Sequence, residues 1–535
     1  MSGRSERFHR QGFTLPKYML RIGRKPILQH VVEMFPEQIN ILFVVNQDQL
    51  EDMTLNLEGF LRGIAPDCTI VPISSHKLGP SFAVMQAANY VDLNSPVVIN
   101  YCDFACLWNQ TLFLQQLQSA DGTIATYSGF HPHMLRSTDY AYLLEEDGDV
   151  VDIREKQSFT GDRFSEPVSS GTYGFRTGRM MLDAVHEQLN SGLMTKGEFY
   201  CSLSYLPMIR GGLRVKSFPI EFFFQWGTPE DYQEFCHYFN WFDTPEWLAE
   251  TSDRIDPQRT TSDGALVLLA AGEGKRFTEL GYQMPKPALP TLVAPAWRYI
   301  AESFEGVSAT VVVTRSEIAQ YLETGHETQL VQLEELSRGQ AASALAGLDA
   351  VNGNSFVVIT SCDAMYHRHS SKFTASDAAH DFEIWTSPPT HFQILAADQF
   401  CWVNVGDGDR VIGMSMKNRP ATPGRWEIVT GTFAFRSLRL AISLLNDVMI
   451  SKLDYAGEKY IDHVIERGLE SGLAMLANSR SDYVSIGTPE EYETFVYWRE
   501  AFSAWPESSF PSSHRTAEQE RRHDKLLSKL RLRGT

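Results

Sequence analysis

The sequence predicts an α/β protein built from two tandem copies of one domain, each a mostly parallel sheet with helices on both faces. Three observations carry this reading. Short apolar runs alternate with amphipathic stretches along most of the 535 residues, the pattern of strands joined by helical crossovers. Glycine-rich turns follow apolar runs at points where a helical pattern begins. Several short motifs also recur in the same order at an offset of about 260 residues, too long for a solenoid repeat and suited to duplication of a whole domain.

Composition narrows the class before any motif is weighed. The hydrophobic share of 43% and charged share of 21% are those of a globular protein with ordinary cores. A net charge of −19 argues against nucleic acid as the main partner, because a phosphate backbone needs a basic face. No apolar run approaches bilayer length, and the polar, basic start MSGRSERFHR is unlike a signal peptide, so a cytoplasmic location is expected. The seven cysteines contain no CxxC pair and read as reduced core residues. His131 with His133, and His367 with His369, have metal-ligand spacing, but their polar, loop-like surroundings argue against a metal site.

In chain order, the first half opens on a glycine loop with no strand ahead of it. Pro26 to Met34 has the spacing of an amphipathic helix, Ile39 to Val45 reads as a buried strand, and Cys68 to Pro72 as a short one. Gly79 and Pro80 break the chain before a helix. PVVINYCDFA is an apolar strand ending in Asp103, at the carboxyl edge where ligands gather in such sheets. Glu155 and Lys156 are expected at a strand end, Gly171 and Thr172 ahead of another strand, and Glu198 near the start of a helix over GEFYCSLSYLPMI. Gly227, Thr228 and Pro229 form a turn before a helix that begins at Glu230 and Asp231. The domain boundaries read as 1–243 and 264–504, with a linker at 244–263 rich in Pro, Ser, Thr and charge and a basic tail at 505–535.

The second half repeats the order with a strand added at its start. Ala265 to Ala271 is the apolar run, and AAGEGKRF follows. Gly272 and Gly274 are expected to turn the backbone at φ > 0 and to leave room for phosphate groups near the amides. Gly3, Arg7, Phe8, Gly12, Pro16 and Lys17 stand in the order and spacing of Gly272, Arg276, Phe277, Gly281, Pro285 and Lys286, with Ser5 replacing Gly274. Further along, Gly339 answers Gly79, Asp363 answers Asp103, Lys417 answers Lys156 and Gly431 answers Gly171. Gly487, Thr488 and Pro489 answer the closing turn. The strand missing from the first half would lie in mid-sheet, and leaving its neighbours unpaired is costly. The expectation is an upstream start or another segment in the gap; a natural N-terminus at Met1 or Ser2, read by mass spectrometry, excludes the first.

On these motifs both halves resemble the sugar-phosphate nucleotidyltransferases, the NDP-sugar pyrophosphorylase-like enzymes with Rossmann-like, GT-A-like domains. The loop MSGRSERF and the wording PKYML make the first half similar to members associated with capsule and surface polysaccharide synthesis. The resemblance implies transfer of a nucleotidyl group from an NTP to a phosphorylated sugar or small alcohol, with release of pyrophosphate. It implies that Arg7 or Arg276 holds the pyrophosphate, that Lys17 or Lys286 bridges the reacting phosphates, and that Asp103 or Asp363 holds Mg²⁺. Gly3, Gly79, Gly272, Gly274 and Gly339 would line the nucleotide. Glu155, Lys156, Gly171, Lys417 and Gly431 would serve the acceptor.

Two departures stand out. Gln225 and Ser485 occupy positions where many members carry a second metal-binding Asp, and Met416 stands where the first half has Glu155. The first half, with Arg7, Lys17, Asp103, Glu155 and Lys156 together, is therefore the expected catalyst. Two rivals are a glycosyltransferase of related topology, whose Asp-x-Asp cue is absent from NYCDFA and TSCDAM, and one active domain beside a nucleotide-sensing partner domain. The choice of NTP and any homo-oligomer stay open at this stage.

Overall fold

The structure, a computed structural model, describes residues 1, 3–135, 139–242, 264–292, 294–324, 328–353, 356–367, 371–372, 380–455 and 457–505. The expected linker, the basic tail from 506 onward and His369 lie outside them. The chain divides into two compact units, whose main bodies are Met1–Cys236 and His237–Ser503. Among the described residues, no helix is long and apolar enough to cross a membrane.

In the first unit, α1 (Glu6–Arg10) follows the N-terminal loop, and α2 (Ile27–Glu33) buries Ile27, Leu28 and Val31, the face its apolar spacing marks out. Strands β1 (Leu42–Asn46) and β2 (Thr69–Ile73) pair in parallel as a sheet of two. Helix α3 (Pro80–Gln86) begins at the Gly79–Pro80 break. The stretch read as one strand to Asp103 is two, β3 (Val97–Asn100) and β4 (Phe104–Leu107). They separate because β4 leaves the main sheet to pair with Phe222–Gln225, so Asp103 sits on the turn between them.

The larger sheet of this unit contains β5 (Gly122–Tyr127), β6 (Ala141–Glu146), β7 (Asp149–Glu155), β8 (Val168–Phe175) and β9 (Val215–Pro219). Its order is β9-β5-β8-β6-β7, with β3 along β8. Helix α4 (Gly178–Asn190) follows β8, and α5 (Pro229–Phe242) follows the closing turn.

The second unit opens on β10 (Gly264–Leu269) and α6 (Lys275–Glu279), then β11 (Val307–Arg315), β12 (Thr328–Leu333), α7 (Gln340–Leu348) and β13 (Val357–Ser361). It continues with β14 (Phe382–Ser387), β15 (Cys401–Val405), β16 (Val411–Met416), β17 (Arg425–Phe435), α8 (Leu438–Ile450), α9 (His463–Glu470), β18 (Met475–Ser479) and α10 (Pro489–Ala504). The sheet order is β12-β11-β10-β13-β17-β14-β18, with β15 along β17 and β16 along β15. From β12 to β13 every pairing is parallel, and β17 then runs antiparallel to both neighbours. Among the described residues, the order β3-β8-β5-β9 of the first unit matches β13-β17-β14-β18 of the second.

Two further readings of the sequence need correction. Gly171 and Thr172 lie inside β8, not ahead of it. Gly171 has φ 103 at a register shift between Ser169 and Tyr173, and a Cβ there would lie 3.0 Å from the rings of Tyr101 and Phe104. Gly431 does the same inside β17, with φ 86. These are bulges, where an extra residue needs left-handed backbone. Glu198, in turn, precedes the helical part, which is a tight turn at Cys201–Ser204 and a helix at Tyr205–Arg210.

The second correction has a backbone cause. Phe199 N donates to Leu78 O (2.8 Å) and accepts at its carbonyl from Ser81 N (3.0 Å), so it cannot join a helix. Lys459 repeats this with Arg338 O and Ala341 N. Gly79 (φ 92) and Gly339 (φ 113) make the approach possible, since a Cβ on either would lie 2.6 Å from backbone atoms of Phe199 or Lys459. Gly339→Ala is therefore expected to destabilise the fold by about 2 kcal/mol or more. Gly272→Ala, with nothing within 4 Å of the new Cβ, is expected to stay within about 0.5 kcal/mol. Thermal or urea unfolding of the two variants checks the contrast.

Candidate active site

The glycine loop comes first in each unit. In the second, β10 delivers the chain to Ala270–Gly274, and Gly274 takes left-handed backbone (φ 62, ψ 28) at the start of α6. Gly272 does not share the positive φ expected of it; one left-handed residue suffices for the turn, and Gly272 leaves open space instead. In the first unit Ser5 takes the same conformation (φ 54, ψ 32) ahead of α1, and its Oγ accepts from Lys17 N at 3.2 Å. Arg7 and Arg276 stand exposed on these short helices.

Pro16 and Pro285 then lead extended backbone into a tight turn that begins at the lysine. Lys17 Nζ donates to Asp103 Oδ2 at 2.5 Å, and Lys286 Nζ to Asp363 Oδ2 at 2.6 Å. Burial works against the Lys17 ammonium, but the Asp103 carboxylate outweighs it and holds the pKa above the usual lysine value. Lys286 is held up in the same way by Asp363. Burial alone would raise Asp363, yet Lys286 and the Ser361 hydroxyl hold its carboxyl below the ordinary range. Both lysines are thus cationic, and Asp363 is an ionised carboxylate.

The closing turn presses against the same carboxylates. A Cβ on Gly227 would lie 3.0 Å from Asp103 Oδ2, and one on Gly487 3.1 Å from Asp363 Oδ2. Gln225 and Ser485 each meet a carboxylate from the next helix. Gln225 Nε2 and Thr228 Oγ1 donate to Asp231 Oδ2. The residue corresponding to Asp231 in the second unit is Glu491, whose Oε2 lies 3.3 Å from where a Gly487 Cβ would stand. Glu491 is buried, and burial together with the Asp363 charge pushes its pKa up to about 7. Its Oε1 is enclosed without a hydrogen-bond partner.

On the acceptor side, Glu155 ends β7 and Lys156 turns away with φ 62. Lys156 Nζ donates to Tyr200 OH at 2.8 Å and lies 4.7 Å from that ring's centre, while Ser202 Oγ donates to Glu155 Oε2 at 2.5 Å. In the second unit Lys417 (φ 53) lies 4.9 Å from the ring centre of Tyr460 and donates to Gln399 O. Met416 takes the place of Glu155, and Asp462 takes the place of Ser202. The carboxylate has changed sides. Burial raises Asp462 to about 6, with Lys417 pulling the other way. Tyr200, Tyr460, Asp231, Glu491 and Asp462 were missed from sequence; the recurrence of Gly-Glu-x-Tyr at 197 and 457 was the available signal for the tyrosines.

In the first unit one cavity of about 1310 Å³ gathers Gly3, Arg7, Lys17, Gly79, Asp103 and Tyr200. Glu155, Lys156 and Gly171 do not line it, although Lys156 reaches its wall through Tyr200. Among the described residues no group of three or more His, Cys, Asp or Glu forms a metal cluster. His133 Nε2 instead hydrogen-bonds Tyr127 OH at 2.8 Å, and His367 Nε2 meets Trp241 O at 2.8 Å.

A family model described as MobA-like NTP transferase domain matches residues 1–155 and 266–381, just over half the chain. The bifunctional protein GlmU of Rhizobium johnstonii is 27% identical over 195 residues, which is 34% of this chain and 39% of GlmU. GlmU of Rhizobium etli is 27% identical over 188 residues with the same coverage. The chain thus spans 39% of the length of these curated relatives. Among solved structures, the nucleoside-diphosphate-sugar pyrophosphorylase from Vibrio cholerae RC9 is similar at 18% identity, 43% of this chain, 99% of that chain and TM-score 0.35. The inositol-1-phosphate CTP transferase from T. maritima gives 16%, 45%, 98% and 0.35.

The Glu155 environment makes a pH-dependent prediction. Burial, partly offset by Ser202 and Lys156, lifts its pKa from 4.5 to about 7. The folded state then binds the proton more tightly than the unfolded one, so stability present at pH 4 is lost as pH rises through 7. Glu155→Gln removes that loss. Relative to the parent protein it is expected to gain on the order of 2 kcal/mol at pH 8, the side chain being partly exposed, and nothing at pH 4. Thermal unfolding at the two pH values measures it, and an equal effect at both would refute the assignment.

Proposed function

The chain belongs to the MobA-like NTP transferase family, and from that premise we propose that it transfers a nucleotidyl group from an NTP to a phosphate monoester of a sugar or small alcohol, releasing pyrophosphate. The observation that carries this reading is the recurrence of one lysine–aspartate pair, at 2.5 and 2.6 Å, beside a glycine loop in both compact units. A pair kept twice at the carboxyl edge of a sheet suits handling of phosphate groups.

The chemistry asks for position and charge. An oxygen of the acceptor's phosphate attacks the α-phosphorus in line. A new P–O bond forms as the bond from the α-phosphorus to the β-bridging oxygen breaks, and pyrophosphate leaves with that electron pair. The attacking oxygen is already anionic, so no general base is required. Arg7 or Arg276 meets the departing pyrophosphate as a fork of donors, and Lys17 or Lys286 neutralises charge on the reacting phosphates. Lys156 and Lys417, each laid on a tyrosine ring, anchor the acceptor's phosphate; Glu155, and Asp462 in the second unit, accept from its hydroxyls.

Mg²⁺ fits the donor set of the second unit best. Asp363 Oδ2 and Glu491 Oε2 face the space beside Gly487, and the orphaned Glu491 Oε1 is a buried acceptor without a donor. A hard cation prefers one or two carboxylates together with substrate phosphates, so Asp363 with Glu491, and Asp103 with Asp231, are the residues that would hold it. When bound it would supply Lewis-acid stabilisation of the reacting phosphates.

We place the main activity in the first unit, which keeps Glu155 beside Lys156, and a second site in the other, where Asp462 restores a carboxylate. The product would serve surface polysaccharide or glycoconjugate precursors. The test is pyrophosphate release by the full chain over a panel of NTPs and phosphate esters. Asp103→Asn is expected to remove most of the release, about 100-fold or more at its own site. Asp363→Asn should remove the remainder, and the double variant should release none. Undiminished release by the double variant would sink the proposal.

A further inference from the structure

A lysine side chain has a flexible four-carbon stem and, left to itself, spreads its ammonium over many rotamers. Lys156 is held at both ends. Its backbone leaves β7 in left-handed conformation (φ 62), and its N–H donates to Tyr140 O at 2.7 Å. At the tip, Nζ donates to Tyr200 OH at 2.8 Å, with the ring centre 4.7 Å away. The phenol passes its own hydrogen on to Glu198 Oε2. Lys156, Tyr200 and Glu198 thus form one directed chain of hydrogen bonds, from ammonium to phenol to carboxylate.

The far end of this chain is anchored on the nucleotide side. Thr195 and Glu198 exchange two backbone hydrogen bonds, each 3.0 Å, around Lys196 (φ 52) and Gly197 (φ 82), the pair of left-handed residues that a tight hairpin turn requires. The next residue, Phe199, is clamped between Leu78 and Ser81. A Cβ on Gly79 would stand 3.1 Å from Glu198 Cβ, and both residues line the cavity that gathers Lys17 and Asp103. The glutamate side chain therefore starts from backbone with little freedom. The second unit repeats the device in part. Tyr455 and Glu458 exchange the same two bonds at 3.0 Å, and Glu458 hydrogen-bonds Tyr460, but Lys417 Nζ donates to Gln399 O.

We propose that Glu198 is a positioning residue for nucleotidyl transfer in the first unit, setting the Lys156 ammonium through Tyr200; the inference rests on the function proposed above. A phenol has one hydrogen and two lone pairs. Turned toward Lys156, that hydrogen would face another donor; committed to a carboxylate, it leaves a lone pair for the ammonium. Burial and the Glu198 carboxylate both raise the pKa of the Tyr200 phenol, which keeps the hydrogen that the chain needs. An ammonium has three donors. With one fixed on Tyr200, the other two have defined directions in which to meet the acceptor's phosphate, and a defined direction is what an in-line attack requires. Because Glu198 springs from the segment packed on Gly79, the same link sets the acceptor's anchor relative to the nucleotide.

The test uses the full chain carrying Asp363→Asn, so that pyrophosphate release reports the first unit. Glu198→Ala is expected to raise the acceptor KM at least fivefold and to leave the NTP KM within twofold. Tyr200→Phe, which keeps the ring and removes the hydroxyl, is expected to do the same. The double variant should fall no further than the worse single, because both residues act through one chain. Glu198→Gln, whose carbonyl can still accept from the phenol, should recover at least half of the effect. A second measurement needs no turnover: acetylation of Lys156 by acetic anhydride, read by mass spectrometry, is expected to be at least threefold faster in Glu198→Ala and Tyr200→Phe than in the chain that keeps both residues. If that chain releases no pyrophosphate over the panel, the function placed in the first unit fails, and the labelling alone decides whether Glu198 sets Lys156. An NTP KM that rises as much as the acceptor KM, additive effects in the double variant, or unchanged labelling of Lys156 would each overturn the inference.

Discussion

A half-buried lysine held against an aspartate at the edge of a sheet organises each unit. Taking two charges out of water is costly, and the pair persists because the partners lie within hydrogen-bond distance and other donors complete the carboxylate. Everything around it serves that placement. The proline before the lysine fixes the approach, the closing-turn glycine keeps clear a space where a Cβ would stand about 3 Å from the carboxylate, and the glycine loop brings an arginine to the same edge. A site already charged and partly dehydrated is ready to meet phosphates without rearranging, the condition under which electrostatic stabilisation is strongest.

Because the fold occurs twice, each unit serves as a control for the other. The positions that differ do so in compensating pairs. Glu155 with Ser202 becomes Met416 with Asp462, so the carboxylate crosses from a strand end to a helix start while staying near the lysine. Asp231, tied to Gln225 and Thr228, becomes Glu491, longer by one methylene and left with a free buried oxygen. Such exchanges conserve charge at the site while altering which group carries it and how firmly it is held.

Much of the fold was legible in the sequence because apolar period and glycine punctuation are local signals. The strands at Thr69 and Gly264, the helices after Gly79 and Gly339 and the closing turns all lie within a few residues of their expected places. Where reading failed, a distant partner had overridden local preference. GEFYCSLSYLPMI looks helical throughout, but Phe199 is taken up by Leu78 and Ser81, a hundred residues away or more. SSGT looks like a turn before a strand, yet it is a bulge within one, because Tyr101 and Phe104 occupy the space a side chain would need.

By itself the sequence determined the duplication, the α/β class and the identity of the lysines, arginines and strand-end aspartates, since these rest on residue type and spacing. Only the tertiary structure decided what those residues touch. It set the lysine on the aspartate, laid Lys156 and Lys417 on tyrosine rings, and brought Asp231 and Glu491 to the closing turn from one helical turn further on. Chain order records which residues a protein has, whereas hydrogen-bond partners, burial and the space a missing Cβ leaves open are properties of the folded surroundings, and those decide the chemistry.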